Sequence, residues 1–342
     1  MSKASAPSTK RKYRRYAKLC LRTALIVLLF FFLSDIIVYW IYGPNWARNY
    51  IADEQNIWNN RPGYWASYEN GEVTERVGID HMRISHPLAV SEKNKYKCLV
   101  LGCSYTFGVG VADNETYVWK LNELSPDTEF INGGMPGYGA KRLHNRLPDF
   151  LAAHHYDLVI YAVLHDHPAR DAAPAFRRMD PDAFLMPYTE LTPDFEFKDH
   201  TAYRLVWWGD RYYAPINMLK KSYIAMVGTR EYPKVRLANI PIIFAHQVNQ
   251  LALLCAQNGT RFVLMILDKE PYNSDLTKAI PLFSHMVSGV YDVSFPYELS
   301  AQYRVLGNID NHPNAEVHSY WAKAIAAEIK KHKDLYQHRM HQ

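Results

Sequence analysis

Four short stretches carry side chains able to act on a carbonyl. The first is Leu99-Val100-Leu101-Gly102-Cys103-Ser104-Tyr105-Thr106-Phe107-Gly108, a branched apolar run cut off by a glycine and then by a hydroxyl. A buried parallel strand ending in a tight turn has this pattern, and it would stand Ser104 at the carboxyl end of a central strand. The second, Asn132-Gly133-Gly134-Met135-Pro136-Gly137-Tyr138-Gly139, has enough glycine for backbone N–H groups to converge on an anion. The others are His165-Asp166-His167-Pro168 and Asp310-Asn311-His312-Pro313-Asn314. Together they offer what nucleophilic acyl transfer needs: a hydroxyl, an imidazole base, a carboxylate to orient it and an oxyanion pocket. Read singly, Ser104 is equally a structural turn serine, and His312 a residue ahead of a helix with no base role. His165, Asp166 and His167 could ligate a metal, but no further ligand cluster has a suitable spacing, so no metal and no other cofactor is expected.

Such residues meet only if a sheet brings them to one edge. Alternating signals give a strand at Cys98–Leu101, a helix over Thr116–Leu124, a strand at Glu129–Asn132 and a helix over Ala140–His154. A continuous apolar strand, Leu158–Leu164, comes next. After it come a helix over Ala238–Gln257 closed by Asn258-Gly259, a strand at Arg261–Leu267, and a helix near Leu276–Val287. A short strand near Val290–Val293 and a last helix from Ala315 to about His332 complete the pattern. Between the third strand and the long helix, residues 171–237 form an insertion too long for an ordinary loop, rich in proline, tyrosine and tryptophan. It reads as a lid or as a structural cap.

In matching order over about 97–330, the Gly102–Gly108, Asn132–Gly139 and Asp310–Asn314 motifs resemble the SGNH (GDSL-like) hydrolases. Within that family the chain is most similar to membrane-anchored bacterial members linked to polysaccharide acylation. The resemblance implies a flavodoxin-like three-layer α/β/α sandwich on a parallel sheet. It implies Ser104 as nucleophile, His312 as base and Asp310 as the residue that orients it, with the backbone N–H groups of Ser104 and Gly137 in the oxyanion hole. Two departures stand out. Where the family offers an Asn amide to the oxyanion, this chain has His165, which can donate only in the right tautomer; losing such a donor costs about 100- to 1000-fold in rate. Only Asn311 separates Asp310 from His312, where many members have two residues; in an extended loop i and i+2 still face the same side.

The chain has 342 residues, 48% hydrophobic and 21% charged, with 25 Tyr and 8 Trp. Flat rings in that number suit a core, a membrane interface or a sugar-binding cleft. The net charge of +5 is concentrated in Lys3, Lys10, Arg11, Lys12, Arg14, Arg15, Lys18 and Arg22; the remainder is slightly acidic, which excludes a nucleic-acid footprint. Residues 19–42 are almost wholly apolar, with Tyr39, Trp40, Tyr42 and Trp46 at the far end, as in an uncleaved single-pass anchor. The basic cluster puts residues 1–18 in the cytoplasm and the main domain outside the inner membrane. Asp35, costly in a span, is read as lying near the outer interface, as protonated, or as pairing with another membrane protein, for which an integral membrane acyltransferase is the partner considered. Residues 43–94 read as an irregular wrapping segment, and 95–335 as the hydrolase-like domain. Of the four cysteines, Cys98 and Cys255 are either a pair or two small buried apolar residues. The expected function is a membrane-anchored serine esterase or O-acyltransferase acting on acylated carbohydrate, chiefly O-acetyl groups of a polysaccharide, or on another ester. The competing readings are a catalytically inactive domain that binds polysaccharide or scaffolds an export or acylation complex, and a lipase for membrane lipids.

Overall fold

The computed structural model describes residues 9–42, 50–53, 57–60, 65–66, 75–78, 81–86, 96–171, 187–200, 239–269, 274–305, 307 and 311–332; before residue 75, side chains are described only over 13–34. Helix α1 (Thr9–Tyr42) contains the apolar run. Its stretch Tyr13–Ser34 has mean hydropathy 2.0 and is not buried against the rest of the chain, and its 22 residues suffice to cross a bilayer core. The side chains of Asp35, Tyr39, Trp40 and Tyr42, and all of Trp46, lie outside the described residues. In the segment read as irregular, β1 (Tyr50–Asp53) pairs antiparallel with β2 (Ile57–Asn60), and β3 (Trp65–Ala66) with β4 (Glu75–Arg76).

Next come β5 (Tyr96–Gly102), the single turn α2 (Ser104–Phe107), α3 (Tyr117–Leu124), β6 (Thr128–Gly134), α4 (Ala140–Ala153), β7 (Leu158–Val163) and α5 (His167–Asp171). After them lie β8 (Tyr188–Leu191), β9 (Phe197–His200), α6 (Ile240–Gln257), β10 (Arg261–Ile266), α7 (Asp275–Ala279), β11 (Val287–Asp292) and α8 (Ala315–Lys331). Five strands form one parallel sheet in the order β11-β10-β7-β5-β6. The chain steps from β5 to one side and then crosses back to β7, so the strand order reverses between these two; ligands in open α/β sheets bind in that crevice.

Alternate side chains of the central strands supply two separate cores. Leu99, Leu101, Val159, Tyr161, Phe262 and Leu264 pack with α4 and α6 on one face. Cys98, Val100, Ile160, Val263 and Met265 pack with α3 and α8 on the other, around Trp321 and Ile325. The result is the expected three-layer sandwich. Cys98 and Cys255 are unbonded and buried, and burial pushes both thiols up.

The helix expected near 276–287 is instead short: α7 stops at Ala279, a 3-10 turn follows at Ile280–Leu282, and β11 starts at Val287. Pro281 has no N–H to continue a helix, and the following branched residues join the sheet beside β10. Of the insertion, only Asp171 at the end of α5 and residues 187–200 are described. Its β8–β9 hairpin lies against α4 and α6, with Gln247 Nε2 donating to Thr189 Oγ1 (2.9 Å), Lys141 paired with Asp199 (2.5 Å), and the Phe197 ring stacked on His246 at 3.7 Å. The rest of the expected lid lies outside the described residues.

A buried guanidinium fixes the turn after β5. Arg83 donates from Nη1 to Phe107 O (3.0 Å) and Gly108 O, from Nη2 to Val111 O (2.6 Å), and from Nε to Asp113 (3.0 Å). Its backbone also bridges to Asn132 of β6. On the far side of the same turn His318 of α8 is buried, stacked on Tyr117 at 5.8 Å, with Nδ1 accepting from Tyr117 N–H (3.2 Å). Burial, with Arg83, Lys120 and His312 adding charge repulsion, pushes the His318 pKa down to about 3.

Two outcomes follow for stability. Arg83→Met removes the guanidinium donors from three buried carbonyls and leaves Asp113 to Arg76 alone, so urea unfolding should show a loss on the order of 3 to 5 kcal/mol; a loss under about 1 kcal/mol would mean the clamp is not what sets the turn. His318 is neutral when folded, whereas the unfolded chain protonates it near the ordinary 6.5. Its contribution is therefore complete above that value and lost as pH falls toward about 3. His318→Asn keeps an acceptor without a titrating group, so its urea midpoint should fall less steeply between about pH 7 and about pH 4 than that of the wild type. Equal slopes would assign the acid sensitivity elsewhere.

Candidate active site

Ser104 opens α2 directly beyond β5. Cys103 is extended (φ −96°, ψ −152°), so the chain leaves the strand and enters a helical turn within one residue. Gly102 has to be a glycine, since a Cβ there would lie 1.9 Å from Thr106 Oγ1. Gly108 N–H closes the turn on Ser104 O at 2.8 Å. Ser104 thus stands, half-buried, at the sheet rim where the strand order reverses.

The glycine loop after β6 runs alongside. Met135 N–H donates to Gly102 O (2.9 Å), and Asn132 binds Thr106 O through Nδ2 (2.9 Å) and Gly134 N–H through Oδ1 (3.0 Å). The loop reverses at Gly137, whose φ of 76° disfavours any side chain, and Tyr138 N–H returns to Met135 O (3.0 Å). The N–H groups of Ser104 and Gly137 therefore belong to adjacent loops.

After β7 the two histidines part company. His167 is buried, with Nδ1 against the Tyr161 hydroxyl (2.8 Å), and burial holds its pKa well below the ordinary value. His165 stays at the rim with its side chain 45% exposed. Its backbone N–H donates to Asp268 Oδ1 (3.0 Å) and its Nδ1 meets Asp268 Oδ2. A carboxylate only accepts, so neutral His165 carries its proton on Nδ1 and has an acceptor at Nε2. Only the imidazolium can donate from Nε2 to an oxyanion. Asp166, between the two histidines, is paired with Arg170 through Nε (3.0 Å) and Nη2 (2.9 Å). Burial alone would raise the Asp166 pKa, but the Arg170 charge outweighs it and holds the carboxyl below its usual range. Arg170 also donates to Tyr138 O (3.3 Å), tying this loop to the glycine loop.

The His312 loop docks on the Ser104 turn through Tyr105. Tyr105 donates its hydroxyl to Asn311 O (3.1 Å) and sets its ring edge-on to His312 at 5.8 Å. Burial, then the neighbouring Cys103, Asp268 and Asp166, raises the Tyr105 phenol, which keeps it a neutral donor. Behind it, Trp321 stacks at 6.1 Å and donates to Leu267 O (2.7 Å). The cap of α8 is Asn314, whose Oδ1 accepts from Glu316 and Val317 N–H (3.1 and 3.3 Å), so His312 lies in the loop and not at the helix start. Asp310 lies outside the described residues.

Three residues of this rim escaped the sequence reading. Asp268 had a signal, a carboxylate directly after a buried strand, the same cue that singles out Ser104 and His165. Tyr105 lay inside a recognised motif without a role. Arg83 had no signal, being one arginine in a polar stretch.

No family model matches the chain, and no curated protein does. Several solved structures are similar. The psychrotrophic esterase EstA from Pseudoalteromonas sp. is 14% identical, with 70% of this chain and 100% of that one covered at a TM-score of 0.40. The acetylxylan esterase Axe2 from Geobacillus stearothermophilus is 14% identical, covering 68% and 94% at 0.38. A GDSL-like lipase from Bacteroides thetaiotaomicron is 12% identical, covering 71% and 92% at 0.35. The order of its five parallel strands and the helical layers on both faces give this chain a flavodoxin-like three-layer α/β/α fold, with the serine turn at the point where the strand order reverses.

Proposed function

We propose that the protein is a serine esterase or O-acyltransferase, anchored in the inner membrane by α1 with its main domain on the extracytoplasmic side, and acting on acylated carbohydrate. The observation that carries this reading is the docking of the His312 loop onto the Ser104 turn through Tyr105. Residues more than two hundred positions apart are held there at the rim where open α/β sheets bind ligands.

The chemistry has two halves. Ser104 Oγ attacks the ester carbonyl as His312 takes its proton; the tetrahedral intermediate collapses, and the departing alkoxide takes that proton from His312. In the second half His312 deprotonates water or a sugar hydroxyl, the new oxygen bonds to the acyl carbon, and Ser104 Oγ leaves with the proton. Asp310, two residues before His312, is assigned the orienting role. The backbone N–H groups of Ser104 and Gly137 meet the oxyanion, with His165 adding a donor when it is protonated.

One observation favours the other reading, a domain that binds polysaccharide without cleaving it. Asp268 on Nδ1 leaves neutral His165 with no proton for the oxyanion. A fluorophosphonate probe on the full-length protein in detergent separates the two. The wild type should be labelled, Ser104→Ala not at all, and His312→Ala at least about 1000-fold more slowly. A folded wild type that stays unlabelled favours the binding domain. Tyr105→Phe keeps the ring but drops the bond to Asn311, so labelling should slow about tenfold with the KM for p-nitrophenyl acetate unchanged. An unaltered rate would show that Tyr105 does not position the loop.

A further inference from the structure

The rim continues past the serine. Leu101 of β5 pairs with Tyr161 of β7, and Val163 of β7 with Ile266 of β10; beyond the strand ends Leu267 N–H donates to Val163 O and Phe295 N–H to Leu267 O. Ser104, His165, Asp268 and Phe295 therefore follow one another along the carboxyl edge of four adjacent strands. Outward of His165 opens a pocket of about 480 Å³, within the range that holds small ligands. Its far wall is bonded to the His312 loop: Arg304 bridges to Pro313, Val305 N–H donates to His312 O (2.9 Å), and Asn314 N–H donates to Tyr303 O (2.9 Å). A molecule in the pocket lies between the two histidine-bearing loops.

Two features of the lining restrict what that molecule is. Tyr297 is 61% exposed, yet its ring is held, parallel to Tyr303 at 6.0 Å and edge-on to Phe295 at 5.6 Å. A fixed, open aromatic ring suits the flat C–H face of a sugar and costs little ordering on binding. With His165 neutral, the charged side chains come in opposite pairs, Lys269 and Arg304 against Asp268 and Glu298. A phosphate or a uronate would need an excess of cations. A neutral polyol can hydrogen-bond to both signs.

Building on the esterase reading of Ser104, we propose that this pocket is the alcohol subsite, which binds the neutral pyranose whose hydroxyl carries or receives the acyl group. Leaving alcohol and acceptor alcohol occupy the same position relative to the acyl carbon, so one subsite serves hydrolysis and transfer.

Binding is tested apart from chemistry on the full-length Ser104→Ala protein in detergent, titrated with the methyl pyranosides of glucose, galactose, mannose and xylose and with methyl glucuronide, followed by saturation-transfer NMR. At least one neutral glycoside should bind saturably, more tightly than the glucuronide, and Tyr297→Ala in the same background should weaken it about tenfold. With Ser104 intact, the ratio of kcat/KM for methyl 6-O-acetylglucoside to that for ethyl acetate should fall by a similar factor in Tyr297→Ala and in Glu298→Gln. A wild type that takes the fluorophosphonate label while no glycoside binds, or while Tyr297→Ala changes neither binding nor ratio, overturns the subsite. Preference for the glucuronide overturns its neutrality. An unlabelled wild type whose Ser104→Ala form still binds a glycoside through Tyr297 overturns the esterase reading alone.

Discussion

After Phe107 the chain turns several carbonyls away from water with no helix or strand to receive them, and one guanidinium answers for most of them. Arg83 takes Phe107 O, Gly108 O and Val111 O and is itself neutralised by Asp113, while Asn132 takes Thr106 O. Backbone acceptors buried without a donor are rarely tolerated, so the turn exists in this form because that side chain reaches it. Everything placed on the turn inherits its rigidity. Ser104 opens it, Tyr105 carries the His312 loop from it, and Thr106 receives the Tyr117 hydroxyl (2.9 Å) from the next helix.

The rim is polar in an ordered way. Each strand of the centre ends in a residue that the next loop uses: Ser104 after β5, the glycine run after β6, His165 after β7, Asp268 after β10. Because parallel strands end level with one another, these groups become neighbours although the chain separates them by tens to hundreds of residues. The pairing of His165 with Asp268 then sets the tautomer of the neutral imidazole. Where an amide would always have a hydrogen to give, this imidazole gives one to the rim only in its charged form.

The layers were legible because they rest on runs the eye can find. Branched apolar residues at Leu99–Leu101, Leu158–Val163 and Phe262–Ile266 mark strands covered on both faces, and Asn314 or Asn258-Gly259 mark helix ends. The apolar spacing over Leu276–Val287 suited a helix, but it hid the break at Pro281 and the branched start of β11. What could not be read was pairing across distance. Arg83 is meaningful only once Phe107, Gly108 and Val111 face it, and Asp268 only once β10 lies beside β7. Ser104, Gly137 and His165 could be picked out as types that follow strands and His312 as one ahead of a helix, and the glycine and His312 loops meet the serine turn through bonds that no local pattern announces.

Asp268 holds the segment after β7 by two separate grips, one on the imidazole and one on the main-chain N–H of the same residue. The second grip is blind to the identity of the side chain. Any residue except proline can therefore stand at position 165 with the main-chain grip on Asp268 intact, so the side chain there can vary without unseating the loop.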